Sequence, residues 1–336
     1  MNKNFFYKKK ILITGIDGFV GSNLAKKLVF VGAKVSGIIQ KKNKKSLFNY
    51  EKINIKCTLY KGDIYNNNFI KKIINNNKFE IIFHLAAQVE VGVANHDPFD
   101  TWESNIRGTY TILNNLVKNK NIKSVIVASS DKSYGEYPKK YLPYKESYLS
   151  KAIYPYDVSK ACADMISKSY SSKLFNLPII TTRFANIYGP GQLHFSALIP
   201  DIMKSLITGK KFIPRGNGND IRDYVFIDDI VDVYLILSKK LYKNPNLKGE
   251  VFNAGTNKQH KVREIVKKFY VINNQVKEYQ EILKKMKNKK TIGEINNQFM
   301  DYSKLKKFFG WKPKYDFNTT AKTTYEWYKE YFKKNS

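Results

Sequence analysis

Three glycines stand between the first apolar run of the chain and the first helical pattern that follows it. Gly15, Gly18 and Gly21 have Gly-x-x-Gly-x-x-Gly spacing in TGIDGFVG (14–21), directly after the run KKILI. Such glycines allow a tight turn, close approach to a pyrophosphate and close packing of a helix on a strand, and the helix N-terminus then faces the negative charge. In this strand–turn–helix context, the spacing predicts a dinucleotide site.

The first half of the chain alternates short apolar runs with helical patterns. The runs are continuous and rich in β-branched residues, which is typical of parallel strands covered on both faces. Helices are predicted at 22–32, with Gly32 as a C-cap, and at 101–118. This alternation predicts an α/β fold, a Rossmann-like doubly wound parallel sheet with right-handed crossovers. The predicted strands are KKILITG (9–15), AKVSGIIQ (33–40), IKCTLYKGDI (55–64), FEIIFHLAAQ (79–88) and SVIVASS (124–130).

The regular alternation of strands and helices ends after PIITTRFANIYG (178–189), where the predicted strands become shorter and turns more frequent. We therefore expect residues 1–186 to form the dinucleotide-binding domain, which also carries the catalytic residues. Residues 187–336 are expected to form a smaller mixed C-terminal lobe that binds the substrate. Within that second part, segments of 221–255 are candidates to return to the main domain, including VFNAG (251–255) as a strand of the main sheet.

The formal charge of +31 at pH 7 would attract nucleic acid, anionic membranes or acidic ligands. Lysine supplies nearly all of it and recurs along the whole chain, so we predict solvated faces and no specific nucleic-acid partner. No apolar run approaches the roughly 20 residues that span a bilayer, so no membrane insertion is expected. The few arginines are candidates for positions that need a planar fork; they are Arg107, Arg183, Arg215, Arg222 and Arg263.

Cysteine and histidine usage bears on the compartment and on metals. Cys57 and Cys162 are isolated, which fits a reducing cytoplasm, and the basic N-terminus lacks the long apolar region and cleavage site of a signal peptide. The four histidines are scattered, so no metal site is predicted.

The end of the second predicted strand bears on the choice of cofactor. An NAD site usually has an acid there to bind the ribose hydroxyls. This chain reads GIIQKKNKK (37–45) without a carboxylate, and Gln40, Lys41 and Lys42 could receive a 2′-phosphate. The segment favours NADP over NAD, with a solvated basic loop as the alternative.

Tyr156 and Lys160 in YPYDVSK (154–160) are spaced i, i+4 and therefore share one face of a helix. A positive charge at about 4 Å, with an effective dielectric near 20, contributes on the order of 4 kcal/mol, or about three pKa units. We therefore predict that Lys160 lowers the pKa of Tyr156 toward neutrality, where a general base works best.

Ser130, Asp131 and Lys132 follow the fifth predicted strand in SSDKSYG (129–135). A strand end needs polar residues, but it does not need an acid and a base side by side. These residues are predicted to be catalytic, and a surface ion pair between Asp131 and Lys132 is the structural alternative.

In this order, the motifs resemble the extended short-chain dehydrogenase/reductase family, which contains NAD-dependent epimerases and dehydratases. The resemblance implies a sugar nucleotide bound by the smaller lobe, and a homodimer. The motifs that carry it are TGIDGFVG, GDI (62–64), HLAAQ (84–88), NIRGT (105–109), SSDKSYG, YPYDVSK, RFANIYGPG (183–191), RDYVFIDD (222–229) and GWKP (310–313).

The resemblance also implies roles for single residues. Asn186 and Arg222 would hold the diphosphate of the sugar nucleotide, and Asn105 would support the catalytic helix. The implied cofactor contacts are Gly15, Gly18, Phe19, Gly21, Gln40, Asp63 and Ile64 at the adenine, Ala86, Ala87, Asn105, Tyr156 and Lys160.

An acid after the catalytic serine is similar to the pattern of nucleotide-sugar 4,6-dehydratases, and Asp-Lys resembles CDP-glucose 4,6-dehydratases. The region after the second strand is similar to GDP-mannose dehydratases, so a CDP- or GDP-hexose is the expected substrate. Tyr156 would take the proton of the 4-hydroxyl, with Ser130 hydrogen-bonded to that oxygen. Lys132 would take the proton on carbon 5, and Asp131 would protonate the departing 6-hydroxyl if burial raises its pKa. An epimerase of the same family and a non-catalytic dinucleotide-binding protein are the alternatives.

Overall fold

Twelve strands are found in the described part of the computed structural model, which comprises residues 4–41, 46–287, 289 and 293–335. All five strands predicted for the first half are present, each shorter than its apolar run. The strands are β1 (Lys10–Thr14), β2 (Lys34–Ile39), β3 (Thr58–Lys61), β4 (Ile81–His84), β5 (Ser124–Ala128), β6 (Ile179–Phe184), β7 (Asn186–Tyr188), β8 (Ile221–Arg222), β9 (Tyr224–Phe226), β10 (Val251–Ala254), β11 (His260–Lys261) and β12 (Asn297–Gln298).

The helices fill the intervals between these strands and continue to the end of the described chain. They are α1 (Phe19–Phe30), α2 (Leu47–Tyr50), α3 (Asn67–Asn76), α4 (Val91–His96), α5 (Phe99–Trp102), α6 (Gly108–Asn114), α7 (Pro155–Ser171), α8 (Leu198–Thr208), α9 (Ile227–Lys243), α10 (Val262–Ile272), α11 (Val276–Met286), α12 (Ser303–Phe309) and α13 (Phe317–Asn335).

The main sheet has seven parallel strands in the order β10-β6-β5-β4-β1-β2-β3. The predicted α/β doubly wound fold is therefore confirmed. The continuous apolar character of the strands has a simple cause, because successive side chains point to opposite faces. Ile11 and Ile13 pack into one hydrophobic core, and Leu12 between them packs into the core on the other face.

Two predicted helices differ from their observed forms. The first begins at Phe19 rather than at residue 22, and its C-cap is Val31, so the prediction of Gly32 as the C-cap is wrong by one residue; Gly32, with φ +80°, comes directly after the cap. The helix predicted at 101–118 is divided by a π-helical turn at Glu103–Arg107 and ends at Asn114. A π-turn adds a residue to the helical repeat without an evident sequence signal, and such turns often occur at functional sites.

The segment 221–255 is divided between the two parts of the molecule. β8 pairs with β11 and β12 in a small three-stranded sheet. α9 packs on the main sheet at β5, and β10 pairs in parallel with β6 as the seventh strand. The boundary at residues 186 and 187 stays a prediction. Within the residues that the structure describes, no helix has the length and apolar character needed to cross a membrane.

Candidate active site

A cavity of about 1400 Å³ opens at the carboxyl ends of the main-sheet strands. Thr14 of β1, His84 of β4 and Val127 of β5 are neighbours in the strand register, so these three strands end at the same level. The strand order reverses between β1 and β4, where ligands bind in open α/β sheets. Every predicted site residue except Asn105 lines the cavity; these are Gly15, Gly18, Phe19, Gly21, Gln40, Asp63, Ile64, Ala86, Ala87, Ser130, Asp131, Lys132, Tyr156, Lys160, Asn186 and Arg222.

The glycine turn leaves no room for side chains. Gly15 has φ +68°, and a Cβ there would lie 2.9 Å from the Cα of Ala86. A Cβ on Gly21 would collide with the carbonyl oxygen of Gly15. Gly18 is the N-cap of α1, with no side-chain cap and no acid in the first turn, so the helix N-terminus presents backbone N–H groups to the cavity. The turn fits a pyrophosphate.

The loop after β4 is held by a buried polar contact. Thr14 Oγ1 accepts hydrogen bonds from the backbone N–H groups of Leu85 and Ala86, both at 3.1 Å. Thr14 also bonds His84 Nδ1 at 2.9 Å, and burial together with the charge of Lys160 lowers the pKa of His84 to about 3. Neutral His84 therefore fixes the loop that carries Ala86 and Ala87.

Asp63 lies on the same wall of the cavity as the glycine turn and is suited to contact a nucleotide. Its Oδ1 atom is buried, lines the cavity with the rest of the residue, and has no hydrogen-bond partner among the described residues. A buried acceptor without a partner is uncommon and fits a ligand donor such as an amino group. With the glycine turn, it makes the wall suitable for a dinucleotide. Gln40 is exposed at the end of β2, and Lys42 lies outside the described residues.

Asn105 is the predicted cofactor contact that the structure places elsewhere. It is buried in the π-turn, where its side chain accepts a hydrogen bond from Gln88 N at 2.8 Å and donates to Gln88 O at 3.0 Å. It also donates to Ser159 Oγ at 2.9 Å, and Ser159 bonds the carbonyl of Tyr156. Asn105 therefore braces the start of α7 against the loop after β4, and its role as a cofactor contact stays a prediction.

Tyr156 lies in the first turn of α7 and is 8% exposed. Ser130 lies near enough to its hydroxyl to favour the ionised form of Tyr156. Lys160 Nζ donates to the carbonyl of Ala128 at 3.1 Å and lies 6.0 Å from the centre of the Tyr156 ring. The structure thus brings together the three residues predicted for the redox step.

The predicted pKa of Tyr156 is wrong in sign. Burial raises it, the negative charge of Asp131 adds to this effect, and the hydrogen bond from Ser130 opposes it. The sequence-based prediction included the attraction of Lys160 but not the loss of solvation. Burial also acts on the lysine, because it lowers the pKa of Lys160 to about 8 against the influence of Asp164.

Asp131 is 5% exposed. Its Oδ1 accepts the Ser130 hydroxyl at 2.9 Å, while its buried Oδ2 has no partner within the described chain. Burial raises the pKa of Asp131, against the opposing effects of Lys132 and Ser130. The condition set for Asp131 as an acid is therefore met.

Lys132 pairs with Glu294, a residue that the sequence reasoning missed. Lys132 Nζ lies 2.8 Å from Glu294 Oε2, and the same oxygen lies 3.4 Å from Arg222 Nη2. Burial opposes ionisation of Glu294, but Lys132 and Arg222 outweigh it and the pKa of Glu294 is lowered. The alternative of a surface pair between Asp131 and Lys132 is wrong, because both side chains are largely buried and the partner of Lys132 is Glu294.

A further carboxyl, that of Asp157, interacts electrostatically with Lys132 and Glu294. It is 1% exposed, and its Oδ1 has no partner in the described parts of the chain. Burial raises its pKa to about 7, while Lys132 opposes the shift and Asp131 adds to it. Three carboxyls and two cations are thus coupled beneath one wall of the cavity.

Asn186 and Arg222 belong to two small sheets, Asn186 to β7, which pairs with β9, and Arg222 to β8, which pairs with β11 and β12. Asn186 begins β7, and its backbone N–H bonds the carbonyl of Asp223 at 3.1 Å. Arg222 Nη1 donates to the carbonyls of Ile221 and Asn296, at 3.0 and 3.2 Å. Arg222 is 8% exposed, and its guanidinium borders the cavity beside Glu294.

Two curated relatives share most of this chain. A dTDP-D-glucose 4,6-dehydratase from Dictyostelium discoideum is 34% identical over 285 residues, which are 80% of this chain and 63% of that protein. A CDP-glucose 4,6-dehydratase from Salmonella typhimurium is 26% identical over 99% of this chain and 94% of that protein. The chain thus spans less than two thirds of the Dictyostelium relative.

Solved structures of a dehydratase and of an epimerase are both similar in fold to this chain. A dTDP-glucose 4,6-dehydratase from Bacillus anthracis in complex with NAD has a TM-score of 0.81 at 28% identity, covering 96% of this chain and 97% of that one. A UDP-glucose 4-epimerase from Thermotoga maritima with UDP-glucose has a TM-score of 0.78 at 27% identity, covering 97% and 99%. Residues 12–324 match the family described as GDP-mannose 4,6 dehydratase. The chain belongs to that family.

Proposed function

We propose that the protein is a nucleotide-sugar 4,6-dehydratase that converts an NDP-hexose to an NDP-4-keto-6-deoxyhexose. The observation that carries the proposal is Asp131, a buried acid that lines the cavity and has one oxygen without a hydrogen-bond partner in the described part of the chain. It follows Ser130 directly, beside the redox pair Tyr156 and Lys160. Loss of water needs an acid at the leaving hydroxyl, whereas an epimerase eliminates nothing.

Gly15, Gly18, Gly21 and Asp63 would hold a nicotinamide dinucleotide, which would supply hydride chemistry at carbons 4 and 6 of the sugar. The chain's own residues handle the protons. Tyr156 takes the proton of the 4-hydroxyl, which requires the phenolate form. Ser130 stabilises that form when it donates its hydroxyl proton to Tyr156 in place of Asp131 Oδ1. Lys160, with a pKa of about 8, is mostly charged at pH 7 and favours the phenolate as well.

Elimination belongs to the residues after Ser130. The 4-ketone acidifies the proton on carbon 5, which Lys132 accepts, and Asp131 gives its proton to the departing 6-hydroxyl. Because the Lys132 side chain is paired with Glu294, it must first release a proton to act as a base. The two groups act in opposite protonation states, Asp131 as the acid and Lys132 as the base.

The test is loss of one water from a nucleotide sugar. Purified protein is incubated with CDP-, GDP-, UDP- and dTDP-hexoses, and products are identified by mass. A 4-keto-6-deoxy product, with deuterium on carbon 5 when the reaction runs in heavy water, supports the dehydratase. Epimerised hexose without loss of water identifies an epimerase instead, and no conversion of any sugar supports a binding protein.

We further propose NADP as the preferred cofactor and a CDP- or GDP-hexose as the preferred substrate. Gln40 lines the cavity at the end of β2, where no carboxylate stands, and exposed Lys41 follows it. The Asp131–Lys132 order supports the cytidine form by its resemblance to CDP-glucose 4,6-dehydratases. The dinucleotide extracted from purified protein is to be identified by mass. If the extract contains NAD and no NADP, the NADP proposal is wrong and the lysines after Gln40 belong to a solvated loop.

A homodimer is the proposed assembly. Large apolar side chains are exposed on neighbouring helices, namely Phe99 and Trp102 on α5, Tyr110 on α6 and Met165 on α7. Such a shared face favours association between copies. Analytical ultracentrifugation should give a dimer for the wild type and a monomer for Trp102→Lys; a wild-type monomer at micromolar concentration contradicts the proposal.

A further inference from the structure

A second group of polar side chains lines the cavity apart from the redox and elimination residues. It consists of Glu90, His194 and Ser196, which we call the Glu90 cluster. Ser196 Oγ lies 2.5 Å from His194 Nε2 and 3.2 Å from Glu90 Oε2. Glu90 Oε2 is 3.5 Å from His194 Nε2, and both side chains are more than a third exposed.

The hydrogen bonds in the Glu90 cluster determine which atoms remain open. A serine hydroxyl has one proton, so when Ser196 donates to Glu90 it must accept from the Nε2–H of His194. In the neutral tautomer of His194 that has its proton on Nε2, Nδ1 is an acceptor. Neither Nδ1 nor Glu90 Oε1 has a hydrogen-bond partner among residues 4–41, 46–287, 289 and 293–335. The cluster therefore offers two acceptors, which match two hydroxyl donors.

Helix capping does not explain Glu90. It is the N-cap residue of α4, yet its side chain makes no capping hydrogen bond. Its position three residues after Ala87 places it on the loop that also carries the cofactor wall. α4 packs against α7, the helix of Tyr156, so Glu90 lies on the catalytic side of the cavity.

Arg215 ties the other half of the cluster to the diphosphate end. Its guanidinium donates a hydrogen bond to the carbonyl of Ser196 and lines the cavity. Its charge also helps to lower the pKa of Glu294, which contacts Arg222. Through Arg215, Ser196 is thus linked to the charged group of Glu294, Arg222 and Lys132, and the Glu90 cluster lines the same cavity as the catalytic residues.

The proposed reaction leaves only two hexose hydroxyls without a protein partner. Tyr156 and Ser130 hold the 4-hydroxyl, Asp131 holds the 6-hydroxyl, and the oxygen on carbon 1 bears the phosphate. We propose that the Glu90 cluster binds the 2- and 3-hydroxyls of the hexose through Glu90 Oε1 and His194 Nδ1. This inference rests on the proposed function, which it deepens by assigning the sugar-selective contacts.

Calorimetric binding separates this role from catalysis. Wild-type protein is titrated with CDP, CDP-glucose, CDP-2-deoxyglucose and CDP-3-deoxyglucose, and with the UDP, GDP and dTDP series in the same way. A hydrogen bond to a charged group contributes roughly 1.5–3 kcal/mol, or about a tenfold or larger change in affinity. Glu90→Gln should therefore lose about tenfold in affinity for the NDP-glucose and less than twofold for the NDP alone.

The deoxy sugars and a matched control complete the test. Wild type should bind at least one deoxy sugar about tenfold more weakly than the glucose form, and Glu90→Gln and Ser196→Ala should lessen that difference. Glu250→Gln, at a carboxylate of similar exposure away from this cavity, should change nothing. Equal losses for NDP and NDP-glucose, or none, overturn the subsite while the dehydratase proposal stands. If no sugar nucleotide binds, the proposed function fails with it.

Discussion

The glycine turn of β1 and α1 and the charged end of β5 and α7 face the same cavity but work by opposite means. The turn needs residues without a side chain, since a Cβ on Gly21 would collide with the backbone. The charged end depends on side chains that are crowded, with Asp131, Tyr156 and Lys160 all less than a tenth exposed. Binding at the turn relies on backbone N–H groups, whose capacity does not vary with pH, whereas the charged end relies on groups that burial has shifted.

The difference predicts which substitutions affect chemistry and which affect binding. Changes at Asp131 and Lys132 should spare cofactor affinity, and changes at the glycine turn should weaken both cofactor binding and packing.

The largest effect is expected for Tyr156→Phe. The variant keeps the ring and loses the group that takes the 4-hydroxyl proton, so turnover should fall by up to about 10⁴-fold. Cofactor affinity, measured by fluorescence titration, should change less than twofold. Turnover like that of the wild type would show that another group is the base.

Asp131→Asn and Lys132→Ala should block elimination after the first hydride transfer. We expect about 10³-fold slower release of product. Reduced cofactor should accumulate on the enzyme, and a stopped-flow trace near 340 nm would record it. Native rates of product release from both variants would contradict roles for the pair, and absence of reduced cofactor would place the defect before elimination.

Gly21→Ala tests the other side of the comparison. Alanine in a helix is normally favoured over glycine by up to about 1 kcal/mol. Here overpacking should instead destabilise the protein by about 1–3 kcal/mol, and the displaced turn should weaken cofactor binding. Gly92→Ala on α4 is the matched control, because a Cβ there meets nothing within 4 Å. In urea denaturation, Gly92→Ala should be the most stable protein, followed by the wild type and then by Gly21→Ala. A Gly21→Ala variant with wild-type stability and normal cofactor binding would refute the packing argument.

Asp157→Asn should reveal what the charged end costs in stability. The pKa of Asp157 rises from 3.8 to about 7 in the folded protein. Between those values the folded state holds a proton that the unfolded chain has released, so this group makes stability fall as pH rises from about 4 to about 7. We therefore compare the free energy of unfolding of Asp157→Asn with that of the wild type at two pH values. The difference, variant minus wild type, should be at least about 1 kcal/mol larger at pH 8 than at pH 5, which is the equivalent of one pKa unit.

The measurement is urea denaturation at both pH values. Exposed Asp100→Asn should show no such difference. A stability difference between wild type and Asp157→Asn that is the same at pH 5 and pH 8 would mean that burial does not act on this carboxyl as described.

The two ends also differ in how far the sequence predicts them. The glycine spacing is local, so TGIDGFVG by itself indicates the turn and its ligand class. The grouping of Ser130, Tyr156 and Lys160 is predictable as well, because strand ends and helical spacing bring them together. The direction of the Tyr156 pKa shift is not, because burial is a property of the packed chain.

Glu294 lacked any local signal, and so did the contacts that Asn105 makes. Glu294 meets Lys132 across 162 positions of sequence, and nothing in GEINNQ indicates a partner for SSDK. Asn105 was identified from NIRGT, but its real contacts depend on a π-turn that periodicity does not reveal.

The placement of β10 beside β6 has a consequence for the growing chain on the ribosome. The first six strands of the main sheet are complete at Phe184, but the strand that covers the outer edge of β6 ends at Ala254, 70 residues later. At roughly 5–20 residues per second, synthesis leaves that edge open for about 4–14 s. During that interval the unpaired backbone of β6 is a surface onto which another nascent chain can pair. We expect chaperone dependence during synthesis to be greatest in that window and to end once β10 has docked.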